Sequence, residues 1–177
     1  MWQKALEVFD QLKRSSAVKP NVFSYSALVF ALAGSGRWQE SIDVYREMKQ
    51  AAEQDPDCLP NSITLSGLIS ACERGNRTDK AVEMFEELTS SGLEADAITY
   101  SSMIAACERA GNLDKALHFL DALHATGDVA APELYARVLD QCARKGRWQA
   151  ALDLFLSMQM AGAERRVCAV SVASVHF

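Results

Sequence analysis

The stretch ISACERGNRTDKAVEMFEEL, beginning at Ile69, returns 35 residues later as IAACERAGNLDKALHFLDAL, beginning at Ile104, with nine of twenty aligned letters identical. Self-similarity at such a period restricts a chain to repeat architectures. One unit of this length cannot bury its own apolar face, so neighbours must stack to make a continuous core. Setting the first letter of a unit at Val22, Ser62, Ala97 and Pro132 gives repeats at 22–61, 62–96, 97–131 and 132–166. The last three are 35 residues long, and the first holds five more, which fit in the loop AAEQDPDCLP.

Each unit reads as two amphipathic helices. In the first half, Tyr25/Leu28/Val29, Leu65/Leu68/Ile69, Tyr100/Met103/Ile104 and Tyr135/Val138/Leu139 recur at the i, i+3, i+4 spacing of a helical stripe. Turns follow in GSGR, RGNR, RAGN and RKGR. The second half repeats the stripe with Ile42/Val44/Tyr45/Met48, Val82/Met84/Phe85/Leu88, Leu117/Phe119/Leu120/Leu123 and Leu152/Leu154/Phe155/Met158. A small residue holds one place throughout (Ser41, Ala81, Ala116, Ala151), where it lets two helices approach closely. Gly92, Gly127 and Gly162 are expected to close the second helices in left-handed geometry. Trp2, Ala5, Leu6, Val8, Phe9 and Leu12 match the second-helix pattern, so residues 1–21 read as the second helix of an incomplete repeat. Residues 167–177 read as the start of another. The fold class is therefore all-α, a right-handed α-solenoid of stacked helix-turn-helix repeats, with further repeats or self-association expected at the exposed terminal helices.

Cys72, Cys107 and Cys142 share the period. Cysteines one repeat apart are too distant to bridge and read as small core residues of a reducing compartment. No Cys/His cluster has metal-ligand spacing, and His118, His124 and His176 read as solvated. Neither the deaminase signature nor a phosphate-binding G-x-x-x-x-G-K-[ST] occurs. No catalytic residue, cofactor or metal is thus expected, and no apolar run is long enough to span a membrane. The net charge of −5 runs against nucleic-acid binding. Against that total, Arg74, Arg109 and Arg144 recur at 35 and would stack into one basic row able to neutralise phosphates. Asp79, Glu83, Glu86 and Glu87 read as a solvated face of a second helix, while Glu73 and Glu108 beside the arginines weaken the row.

The runs PNVFSYSALV, PNSITLSGLI and ADAITYSSMI, followed by SACERGN or AACERAGN, DKAVEMFEEL and SSGLEAD, resemble the pentatricopeptide repeat over residues 1–171. The tetratricopeptide repeat, a scaffold for protein partners, is the alternative. Its W-x₂-L-G-x₂-Y opening is absent and its period is shorter by one. The resemblance implies a binder of single-stranded RNA that reads one base per repeat. It also implies that the fifth and last residues of a unit face the base and the second residue wedges between bases. That assigns Ser26 and Asn61, Ser66 and Asp96, and Ser101 (with Ala131 in last place) to base reading. Phe23, Ile63 and Ile98 become wedges, and Arg74, Arg109 and Arg144 phosphate contacts. The fourth unit, with Glu133, Ala136 and Arg166, departs from the pattern at all three places. In the family's code, Ser with Asn favours adenine and Ser with Asp favours guanine, which gives 5′-AG for the first two repeats. Kinship further implies organellar RNA metabolism in a mitochondrion or chloroplast, although Met1-Trp2-Gln3-Lys4-Ala5-Leu6 shows no targeting segment.

Overall fold

The computed structural model describes residues 2–15 and 19–160. Among them are nine α-helices and no strand: α1 (Trp2–Arg14), α2 (Val22–Ala33), α3 (Trp38–Ala52), α4 (Ser62–Arg74), α5 (Thr78–Ser90), α6 (Ala97–Arg109), α7 (Leu113–Ala125), α8 (Pro132–Arg144) and α9 (Trp148–Met160). The chain forms two compact units, Met1–Thr99 and Tyr100–Phe177. In the first, α2 packs on α3 and α4 on α5 as hairpins, α2 lies along α4, and α1 covers α2. In the second, α8 packs on α7 and α9. The segment read as the start of a further repeat, and Arg166 and Gly162, lie outside the described residues.

The hairpin turns share one device. Gly36, Asn76, Gly111 and Gly146 stand at equivalent places with φ of 71°, 55°, 71° and 65°. Asn is the non-glycine residue that tolerates this left-handed region best, which is why RGNR turns as its relatives do. The next N–H then reaches back to a carbonyl inside the first helix: Arg37 to Leu32 at 3.1 Å, Arg77 to Cys72 at 2.8 Å, Asn112 to Cys107 at 2.9 Å and Arg147 to Cys142 at 2.8 Å. These closures satisfy carbonyls that the helix end leaves orphaned.

Most of the period-bearing residues are in the core, whereas Leu152 and Phe155 of the last stripe are 47% and 37% exposed. Leu28, Leu32, Met48, Leu65, Leu68, Ile69, Cys72 and Leu88 are buried in the first unit, and Met103, Ile104, Cys107, Leu120, Leu123, Tyr135, Val138 and Cys142 in the second. Each large aliphatic side chain fully buried contributes about 1.5–3 kcal/mol of transfer free energy. Ser41, Ala81 and Ala116 are completely buried where small residues were expected. Gly67 is a further close-approach site, since a Cβ there would stand 3.1 Å from Val29 Cγ1. The five additional residues of the first repeat are not a plain loop. A 3₁₀ turn at Pro56–Cys58, capped by Asp55, carries Cys58 into the core formed by Phe9, Tyr25, Leu28, Leu32 and Met48. Its thiol donates to the Pro20 carbonyl at 3.3 Å.

Candidate nucleic-acid interface

The second residue of three first helices breaks the rule that large apolar side chains go inside. Phe23, Ile63 and Ile98 are 76%, 53% and 67% exposed, although the residues following them on the same helices line the core. Each stands in the first turn of its helix, beside the cap. Arg74 follows Ile63, and Arg109 follows Ile98, by 11 residues along a helix. That is three turns, so wedge and cation share a stripe about 16 Å apart. Arg74, Arg109 and Arg144 are all exposed and each is the last residue of its helix. Arg144 is paired with Asp140 at 2.7 Å. Burial, and then the neighbouring Arg137, push the Arg109 guanidinium pKa down. Glu108, expected to oppose its neighbour Arg109, is engaged by Arg137 at 2.7 Å and by Gln141.

The polar residues between these points are organised differently from the sequence expectation that each serine simply faces a base. Ser26 and Ser66 are only 7% and 5% exposed. The Ser26 hydroxyl meets Thr64 Oγ1 at 2.7 Å, and Thr64 Oγ1 donates to Asn61 Oδ1 at 3.0 Å. Ser66 meets Thr99 in the same way, and Thr99 Oγ1 donates to Asp96 Oδ1 at 2.6 Å. Asn61 and Asp96 also cap α4 and α6, accepting the N–H groups of Thr64 at 3.0 Å and Thr99 at 2.8 Å through the same Oδ1 atoms. The structure therefore gathers the fifth and last residues of a repeat, but through a threonine that neither position announces.

Ser101 is half-buried, and the corresponding places after it hold Ala131 and Leu134, which carry no hydroxyl or carbonyl side chain to continue such a chain. Ala131 caps α8 without a side-chain bond. Glu133 is exposed and Ala136 half-buried. Sequence reasoning passed over Asn21, which caps α2 by accepting from Ser24 N at 3.1 Å, and whose last-place position ahead of Val22 was the available signal. It also passed over a pair of stacked cations: Arg37 lies 3.7 Å over the Trp2 ring and Arg77 4.6 Å over Trp38.

The histidine expectation needs one correction. His118 is exposed, but His124 is half-buried against Tyr135, with Nε2 at 2.5 Å from the phenol oxygen and the rings stacked. The acidic residues of α5 are largely spoken for: Asp79 pairs with Arg77, Glu83 with Lys80 and Glu87 with Lys49. Among the described residues no group of three His, Cys, Asp or Glu side chains converges to hold a metal. Burial pushes the Cys72 thiol up to about 11, which keeps it protonated and unreactive at neutral pH. No described helix is long and apolar enough to cross a membrane.

Two-helix hairpins with a common turn and a common set of core positions define an all-α repeat protein of the solenoid class. The family model described as "Pentacotripeptide-repeat region of PRORP" matches residues 2–149, and the chain belongs to the pentatricopeptide repeat family. It is 34% identical over 94 residues to the Arabidopsis thaliana pentatricopeptide repeat-containing protein At3g16010, a match covering 53% of this chain and 14% of that one. The chain spans less than a fifth of the length of this and a second curated Arabidopsis thaliana pentatricopeptide repeat-containing relative that it matches. Among solved structures, it resembles the pentatricopeptide repeat protein PPR10 in complex with an 18-nt psaJ RNA element (TM-score 0.70, 23% identity, 92% of this chain and 23% of that one). It also resembles the PPR domain of Arabidopsis thaliana protein-only RNase P 1 in complex with tRNA (TM-score 0.75, 15% identity, 89% of this chain and 80% of that one). At these identities the structural likeness establishes the solenoid fold.

Proposed function

We propose that this chain is a sequence-selective, single-stranded RNA-binding module that reads one base per repeat and binds rather than cleaves. The repeats are 22–61, 62–96, 97–131 and 132–166, and the first two favour 5′-AG. The observation that carries the reading is the pairing, at α4 and α6, of an exposed apolar side chain with a cap residue that keeps one side-chain atom uncommitted. Asn61 Nδ2 and Asp96 Oδ2 have no protein partner among the described residues, since both bonds at each cap go to Oδ1. An aliphatic surface suits the face of any base, and a free polar atom beside it suits one base edge. Phe23, Ile63 and Ile98 are the wedges, and Ser26 with Asn61 and Ser66 with Asp96 are the reading pairs. Ser101 reads without a polar partner, and Arg74, Arg109 and Arg144 meet phosphates. The RNA complexes of PPR10 and of the RNase P repeat domain support the choice of ligand. Relatives whose names carry "mitochondrial" and "chloroplastic" support organellar RNA metabolism.

Fluorescence anisotropy with uridine 12-mers carrying a central AG, AA or GA tests this. With two coded bases stacked at about 1–3 kcal/mol each, micromolar binding is expected, tightest for AG. Asp96→Asn replaces an acceptor with a donor and is expected to move the preference from AG to AA. Equal binding of all three RNAs by the native chain would overturn the base preference.

A further inference from the structure

We propose that Thr64 and Thr99 are specificity-determining positioning residues. Each belongs to the repeat after the one it serves. It takes the hydroxyl proton of the preceding serine in a hydrogen bond, leaving that serine an acceptor. It also helps hold one side-chain oxygen of the preceding Asn or Asp inward, so that the other atom is left to meet a base. The inference rests on the base-reading function proposed above and adds to it the residues that set hydrogen-bond polarity.

Polarity follows from counting protons. A backbone N–H only donates, so the atom of Asn61 that receives Thr64 N at 3.0 Å is the amide oxygen. That oxygen also receives the Thr64 hydroxyl proton. With its single proton spent, Thr64 Oγ1 must accept from Ser26. The relay therefore runs one way: Ser26 O–H to Thr64 O–H to Asn61 Oδ1. Ser26 keeps only acceptor capacity, and Asn61 is left with its Nδ2 donors. In the second repeat, Ser66 donates to Thr99 and Thr99 to Asp96 Oδ1, leaving acceptors at Ser66 and at Asp96 Oδ2.

With the Ser26 acceptor opposite N6–H₂ and the Asn61 donor opposite N1, the pair complements adenine; in the same placement it meets the O6 acceptor and the N1–H donor of guanine like to like. Two acceptors complement the N1–H and N2–H₂ of guanine and are mismatched to adenine. An Asn free to turn would offer either end. Held by two bonds, it offers one. The third repeat is an internal contrast: Leu134 replaces the threonine and Ala131 the cap, so Ser101 has no relay to join.

The test uses the full chain and the AG and AA RNAs. Native protein is expected to prefer AG over AA by about fivefold or more, the scale of one well-matched base edge. Thr99→Val frees the Ser66 hydroxyl to donate as well as accept, the Asp96 oxygens being acceptors either way. It should bring that ratio to within about twofold while leaving the cap's backbone bond and overall uridine binding in place. Thr99→Ser, which restores the hydroxyl, should restore the ratio. Circular dichroism confirms that each variant is helical. Installing the missing parts supplies an independent gain: Ala131→Asp with Leu134→Thr should create a guanine preference opposite the third repeat that Ala131→Asp alone does not. If Thr99→Val keeps the native ratio while Asp96→Asn reverses it, the positioning role is wrong and base reading stands. If Asp96→Asn also changes nothing, the base-reading function falls and the positioning role with it.

Discussion

At the scale of the residue, Gly75 shows how much one missing methyl group decides. Its φ of −77° is open to any amino acid, so conformation does not select glycine here. Contact does: a Cβ would stand 2.2 Å from Trp38 Cδ1 and 3.0 Å from Trp38 Cβ. The indole edge lies against the α4 end, and Arg77 stacks on the same ring. Gly75→Ala must move Trp38, and with it the start of α3 and the stacked guanidinium. Overpacking of this kind costs about 1–3 kcal/mol. Urea unfolding should show that loss, whereas Gly92→Ala meets no atom within 4 Å and is strained only through its φ of +70°. A loss at Gly75 no larger than an exposed-surface change would show that Trp38 adjusts freely.

The helices themselves were legible because their information is local and repeated. Stripes at i, i+3 and i+4 mark which face is buried, and the positive-φ turns carry Gly or Asn in one register. The Ser–Thr–Asn/Asp relay was not legible, because its two bonds span very different distances in sequence. Thr64 and Asn61 are three residues apart and read as an ordinary cap, while Ser26 and Thr64 are 38 apart. Only the stacking of α2 on α4 makes them neighbours. In the proposed function cap and reader are thus the same side chain, and substitution can separate the two roles. Asn61→Asp keeps an oxygen at the α4 N-terminus, where a negative charge is favourable. Asn61→Ala removes it and should lower stability by about 0.5–2 kcal/mol. The expected pattern in thermal unfolding is a Tm near native for Asp and clearly lower for Ala. In RNA binding, the Asp variant should move the first base from adenine towards guanine. A Tm for Ala as high as native would show that the cap bond contributes nothing.

For the whole molecule, the apparent conflict is a net charge of −5 in a proposed partner of a polyanion. The distribution resolves it. Asp79, Glu83 and Glu87 of α5 are matched by Arg77, Lys80 and Lys49, and Glu108 is matched by Arg137. Arg74, Arg109 and Arg144 recur once per repeat at the ends of α4, α6 and α8 and are exposed. The proposed neutralisation of phosphates by those side chains would release counterions from the RNA. For a single strand the slope of log K against log salt is then roughly −0.7 per contact, or about −2 for three. Arg144 must leave Asp140 to take part, an exposed pair whose loss costs at most about 1 kcal/mol. Changing all three arginines to Gln should flatten the slope towards zero and weaken AG and AA RNAs by the same factor, because phosphates carry no base identity. Asp96→Asn should do the opposite, changing the AG-to-AA ratio and leaving the salt slope intact. A triple variant with an unchanged slope would show that phosphate contacts are made by other cations.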